Sequence, residues 1–260
     1  MPNYLKVITY NIHRCVGVDR KLSPERIAGM IAAQKPDVVA LQEVDYGQSR
    51  PSTYDQAAII AECLDFPFPW IERERCGNAV LSRYPMEIVK AGGLHRPRRW
   101  HAPARRGALW VKIEAYGTVV QLINTHLGLT PASRLNQARV LMGDDWLDSP
   151  ECRSPVILCG DFNTNSGSKV FKLIEEKLRN IGDSATNGQK IRTWPSSRAM
   201  LSIDHIFISA DIAVETVIVP CSEAERIASD HLPLFARLTL PDSTEAIHSV
   251  SARGESGAAG

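Results

Sequence analysis

Apolar residues along this chain gather into short, β-branched runs bounded by turn residues, the pattern of strands. Such runs occupy Leu5–Tyr10, Asp37–Leu41, Asn78–Ser82, Ala108–Ile113, Val119–Asn124, Val156–Cys159, His205–Ile208, Val214–Val219 and Leu234–Leu240. Between them lie segments with helical spacing. Ser23–Gln34 opens with an N-cap serine and a proline at the first helical position, and sets Ile27, Met30 and Ile31 on one face. Thr53–Leu64 opens at a threonine cap and aligns Ala57, Ile60 and Leu64. Pro131–Leu147 is the longest, with Leu135, Ala138, Leu141 and Met142 spaced for a buried stripe, and Lys169–Leu178 is shorter. Helices alternate with strands early and strands dominate late, which predicts an α/β chain rich in sheet.

Composition narrows the class. With 44% hydrophobic and 23% charged residues in 260, the chain is neither disordered nor fibrous. Its +1 net charge demands no polyanionic partner. No apolar run approaches the ~18–20 residues that span a bilayer. Met1–Tyr10 has no basic stretch leading into an apolar segment, and none of the six cysteines forms a CxxC pair, so a cytoplasmic, reducing location is expected. Residues 242–260 are rich in Ser, Ala and Gly without apolar period and are expected to form a disordered tail after a single domain over 1–241.

The candidate chemistry sits where the strand-like runs stop. They end or begin in Asn11 and His13, in Gln42, Glu43 and Asp45, in Asn124 and His126, in Asp161 and Asn163, in Asp204 and His205, and in Asp230 and His231. Strands suitably paired would bring these polar ends to one edge, where α/β sheets place their sites. Oxygen donors without a cysteine cluster favour a hard cation such as Mg²⁺. Asp161 and Asn163 share a side of an extended chain, although Asp-Phe-Asn also fits an Asx-turn. His13 would likewise face with Asn11 if the strand continued, and His205 is expected to be structural. A carboxylate at Asp204 bonded to His231 would fix the imidazole tautomer and favour its charged form.

In order and spacing, TYNIH, LQEVD, GNAVLSRYP, NTHLG, GDFNT, SIDHIF and SDHLP resemble the endonuclease/exonuclease/phosphatase superfamily, over nearly all of residues 4–240. The resemblance implies a four-layer α/β sandwich: two mixed β-sheets face to face with helices outside. It implies metal ligands at Asn11 and Glu43, with Asp230 as a further one, binding Mg²⁺ or alternatively Mn²⁺. It implies that His126 contacts the scissile phosphate and that Asn163 holds water or a phosphate oxygen. Asp161 would orient or deprotonate the attacking water, and Asp204 would orient His231, which is base or phosphate stabiliser in different members. Asn78 falls in a shared motif and is a candidate substrate contact.

The substrate is less constrained. NTHLG differs from the N-x-Y-x-P-N type motif of the abasic-endonuclease branch and resembles the branch holding DNase I, sphingomyelinases and inositol-phosphate phosphatases. Arg96–Arg106 (RPRRWHAPARR) is either a solvated basic loop or a phosphate grip. Within it Arg105 and Arg106 lead into the strand GALWVKI, so that one of them is expected to point towards the site, with Arg106 the substrate-binding candidate. Trp100 is suited to stack on a base or lie at a lipid interface. The expectation is a metal-dependent phosphodiesterase acting on a small or lipid-linked phosphodiester, with peripheral contact to anionic membrane and no obligate protein partner. A nuclease of little sequence preference is the alternative, and a non-catalytic phosphate-binding module the third.

Overall fold

Two six-stranded sheets carry the fold. The computed structural model describes residues 3–45, 55–71, 77–94, 106–184 and 191–242. The first sheet holds β1 (Tyr4–Asn11), β2 (Val38–Val44), β3 (Phe68–Ile71), β4 (Gly77–Ser82), β11 (Ala213–Ile218) and β12 (Leu234–Thr239), in the order β11-β12-β1-β2-β4-β3. The second holds β5 (Met86–Gly93), β6 (Gly107–Ala115), β7 (Thr118–His126), β8 (Val156–Asp161), β9 (Arg179–Asn180) and β10 (Asp204–Ile208), in the order β5-β6-β7-β8-β10-β9. In each, one central pair is parallel, β1 with β2 and β7 with β8, and the other pairs are antiparallel.

The strands are nearly continuous apolar runs because both faces are covered. Successive residues point to opposite sides, so Val7, Val38, Ala40 and Ala236 meet Val111, Leu122, Ile157 and Ile206 between the sheets. Their neighbours Ile8, Val39 and Leu41 turn outward onto Ile27 and Ile31 of α1 (Pro24–Ala33) and Ala57 and Ile60 of α2 (Gln56–Leu64). On the other flank, Trp110, Ile123, Leu158 and Phe207 pack on α3 (Pro131–Leu141) and α4 (Lys169–Glu175). The expected four-layer sandwich is therefore the observed one. Each large aliphatic side chain buried here contributes about 1.5–3 kcal/mol against the entropy of ordering the chain.

Helix boundaries moved for local reasons. α1 starts where expected, with Ser23 Oγ accepting the Arg26 N–H at 3.1 Å. α2 is capped by Asp55, whose Oδ1 accepts from Ala58 N at 3.0 Å; Thr53, the expected cap, lies outside the described residues. α3 stops at Leu141 instead of Leu147, because the chain turns through Gly143, yet Trp146 stays buried and prolongs the apolar period. α4 ends at Glu175 by a similar turn that still buries Leu178. A further helix, α5 (Glu223–Ala228), was not expected. The expected tail lies outside the described residues apart from Asp242. Among the described residues, no helix is long and apolar enough to cross a membrane.

Candidate active site

Strand direction brings the polar positions together. The carboxyl ends of β1, β2, β7 and β8 lie at one end of the sandwich, and the antiparallel neighbours β4, β6, β10 and β12 begin there. The site thus straddles both sheets. Within the second sheet the register sets His126 opposite Asp161 and Asp161 opposite Asp204.

From the first sheet come Asn11 and Glu43. Asn11 ends β1, and the chain then coils through His13, Arg14 and Cys15 with φ of 45°, 53° and 58°. His13 therefore does not continue the strand face as the extended reading required. Its ring is exposed, with Nδ1 3.0 Å from Val16 O, while its backbone N–H donates to Asn11 Oδ1 at 3.1 Å. Glu43 sits where the β2–β4 register shifts, with φ 55°. A bulge with left-handed backbone re-aims a side chain out of the strand alternation, and such strain concentrates at functional sites. Asn11 Nδ2 donates to Asp161 Oδ2 at 3.0 Å and faces Glu43 Oε1 at 3.4 Å, so two carboxylates converge on one amide.

Asp161 is the hub. It is buried, with His126 Nε2 at 3.2 Å and His231 Nε2 at 3.7 Å from its Oδ2. Burial opposes its charge, but His126, His231 and the Asn11 amide hold its carboxyl well below the usual carboxylate range. Asn163 has left-handed backbone (φ 52°) and donates its N–H to Asp161 Oδ1 at 2.8 Å. The Asx-turn and the site contact are thus one arrangement. The Asn163 amide donates to Leu127 O at 2.9 Å and stands 3.1 Å from His126 Nε2. His231 Nδ1 is 2.9 Å from Asp204 Oδ2, the contact expected from sequence. Burial of the ring works against protonation, yet the Asp204 carboxylate outweighs it and raises the His231 pKa to about 10. The imidazole is therefore charged at neutral pH.

The remaining candidates fall into different places. Asp230 is half-exposed, its Oδ1 3.5 Å from Ser229 Oγ and 3.9 Å from His13 Nδ1, at the rim. Arg106 reaches His126, with Nη1 2.7 Å from Nδ1. Asn78 is buried at the start of β4 and donates to Gly107 O at 3.0 Å, tying the first sheet to the strand that carries Arg106. Trp100 lies outside the described residues. His205 is structural: its Nε2 meets Thr164 O at 2.8 Å and its ring packs against Phe162, Phe171 and Phe207.

Two supporting features go beyond the sequence reading, which singled out Gln42 and Asn124 only as polar strand ends and did not single out Ser229. Ser229 Oγ donates to Asn11 O at 2.8 Å and accepts the His231 N–H at 3.2 Å, linking β1 to the loop that carries His231. Its signal was the serine of SDH. Behind the site, Gln42 Nε2 donates to Asn124 Oδ1 at 2.7 Å, and Asn124 Nδ2 donates to Leu41 O and Ala79 O at 2.8 and 2.9 Å. This buried amide pair stitches the two sheets directly beneath Glu43 and His126.

The donor set fits a hard divalent cation. Glu43 and Asp161 aim at the Asn11 amide, thiolates take no part, and Glu43 is partly open to solvent. Asp161, Asp204 and His231 also present ligand-type atoms within 4.8 Å of one another, but His231 Nδ1 is already engaged by Asp204.

The sequence model of the Endonuclease/Exonuclease/phosphatase family matches residues 8–231, and the chain belongs to that family, whose members are metal-dependent hydrolases of phosphoester bonds. It is 27% identical over 256 residues to the uncharacterized protein YbhP of Escherichia coli (strain K12), covering 90% of this chain and 96% of that protein. It is similar to the crystal structure of an endonuclease/exonuclease/phosphatase from Beutenbergia cavernae, with TM-score 0.70 and 26% identity over 93% of this chain and 72% of that one. A mannosyl-6-phosphatase from Bacteroides thetaiotaomicron shares the fold, with TM-score 0.72 and 21% identity over 91% of this chain and all (100%) of that one.

Proposed function

We propose that this protein is a Mg²⁺-dependent phosphodiesterase that cleaves a small or lipid-linked phosphodiester by in-line attack of water. The observation that carries the proposal is the cluster centred on Asp161, an ionised acid flanked by two imidazoles and two amides. Asp161 orients the attacking water and takes its proton. His231, charged and held by Asp204, donates to the phosphoryl oxygens as negative charge develops on them. His126 and Asn163 contact the remaining oxygens. Glu43 and Asn11 would hold the cation, with Asp230 beside them at the rim and Mn²⁺ as an alternative ion. When bound, the ion offsets charge on a phosphate oxygen.

The rim favours an amphiphilic substrate. Val18, Leu22, Leu129, Met200 and Leu201 are exposed on loops at the site end of the strands. Val18 N donates to Ile227 O at 3.0 Å and Ser196 Oγ to Arg226 O at 2.9 Å, so the loops carrying Val18 and Met200 meet at the end of α5. Exposed Arg20, Lys21 and Arg198 are interleaved with these apolar residues. Apolar side chains among cations match an anionic bilayer surface, where each basic residue contributes ~1 kcal/mol.

Purified protein would be assayed with Mg²⁺, with and without EDTA, on bis-p-nitrophenyl phosphate, p-nitrophenyl phosphate, plasmid DNA and phosphatidylglycerol vesicles, with His231→Ala as the contamination control. Metal-dependent cleavage of the diester or the lipid, with plasmid intact, is the expected result. Plasmid nicking absent from the variant would make the protein a nuclease, and turnover of the monoester alone a phosphatase. Phosphate binding without turnover of any substrate would make it a binding module.

A further inference from the structure

We infer that Arg106 is a positioning residue that locks His126 in the tautomer carrying its proton on Nε2. A guanidinium has only donors, so the Arg106 Nη1 contact at 2.7 Å requires a lone pair on His126 Nδ1. The one ring proton of the neutral imidazole then sits on Nε2. That nitrogen lies 3.2 Å from Asp161 Oδ2, which accepts it. Asn163 Nδ2, 3.1 Å from the same nitrogen, gives one of its two hydrogens to Leu127 O. The other would need a lone pair on Nε2, a bond that the Nε2-protonated tautomer gives up in favour of those to Arg106 and Asp161. Glu43 Oε1 is the neighbour that would draw a proton to Nδ1, but it stands 4.0 Å away, beyond hydrogen-bond range.

Arg106 is itself held in place. It immediately precedes Gly107, whose carbonyl accepts from Asn78 Nδ2 at 3.0 Å and from Thr125 Oγ1 at 3.1 Å. These bonds clamp the start of β6 to β4 of the facing sheet and to β7 beside it. Because Thr125 adjoins His126, guanidinium and imidazole are fixed from one carbonyl. The consequence, which rests on the phosphodiesterase reading, is that His126 offers the site a fixed hydrogen-bond donor and takes no proton there. The buried Arg106 Nε has no hydrogen-bond partner within the described residues, leaving a further donor beside the same ring.

The test reads the ring nitrogens directly and needs no substrate. Uniformly ¹⁵N-labelled protein is examined by long-range ¹H–¹⁵N correlation at neutral pH, with His126→Gln assigning the His126 signals among the seven histidines. Wild type is expected to show a protonated Nε2 and an unprotonated Nδ1. In Arg106→Met the two nitrogens should move towards an averaged mixture of tautomers, and Arg106→Lys, which retains a donor, should restore the wild-type pattern at least in part. On the diester, kcat of Arg106→Met should fall about 10–100-fold with KM changed less, as for loss of an orienting partner. An unchanged nitrogen pattern in Arg106→Met overturns the inference whatever the activity. A protonated Nδ1 in the wild type overturns it as well. Inactivity of every protein on every substrate would count against the phosphodiesterase reading and leave the tautomer result standing.

Discussion

His231 is bonded through Nδ1 to a carboxylate and faces a second one through Nε2. Glutamine at 231 can still donate to Asp204 but cannot carry charge. His231→Gln is therefore expected to lower kcat about 10²–10⁴-fold, with a melting temperature within a few degrees of wild type by circular dichroism. Gly160 makes the opposite demand. It has φ 141°, and a Cβ there would lie 1.8 Å from Thr125 O, a backbone atom in the paired strand. Gly160→Ala should destabilise the fold by more than about 4 kcal/mol, read as insoluble protein or loss of the cooperative melt. The acids, amides and histidines of the site were legible as polar residues ending apolar runs. The left-handed turn at His13–Cys15 was not, because nothing in three non-glycine residues announces positive φ. The Arg106–His126 contact was hidden too, since it depends on register between β6 and β7 and on no local pattern.

At the scale of elements, the strands that the hydrophobic pattern missed are Phe68–Ile71, Met86–Gly93 and Arg179–Asn180, and each is the edge of its sheet. An edge strand meets solvent, so selection for continuous apolar runs is relaxed there. Central strands, covered on both faces, were found within one to three residues of their ends, β2 running on from Leu41 to Val44. α5 was missed although its cap is present in sequence: Glu225 accepts the Ser222 backbone N–H at 2.8 Å, three residues along. β10 carries its own test. Burial of His205 among aromatic rings lowers its pKa, while hydrogen bonding to Thr164 O and the nearby Asp204 charge act the other way. The unfolded chain thus takes up a proton near pH 6.5 that the folded one refuses, and stability falls as pH drops below that value. The slope from this group is at most about 1.4 kcal/mol per pH unit. Denaturant titrations between pH 7 and 5 should show that fraction of the slope disappear in His205→Gln.

For the whole molecule, the site is a seam between sheets, and its geometry depends on their mutual placement. Asn124→Ala takes a donor from the buried Leu41 and Ala79 carbonyls and the shortest of three acceptors from Gln42 Nε2, which keeps Thr9 Oγ1 and Ala40 O. It should cost about 2–4 kcal/mol in urea denaturation and reduce activity without touching a reacting group. A cation bridging residues of the seam should in turn stabilise the fold. Mg²⁺ at a hundred times its Kd is expected to add about 2.7 kcal/mol, seen as a rise in melting temperature that EDTA reverses and Glu43→Ala lacks. The layered architecture was legible once the family resemblance was included, whereas strand count alone left other α/β folds open. The two sheets are also threaded differently. The second comes from one continuous stretch, Met86–Ile208, while the first combines strands before it with β11 and β12 after it. β12 pairs with β1 along its length, from Tyr4↔Thr239 to Thr9↔Leu234. On the ribosome, β1 must therefore wait with one side open until β12 emerges, a closure of high sequence separation and slow by nature. His231 immediately precedes that closing strand, so the cluster around Asp161 gains its last imidazole only shortly before the first sheet can close.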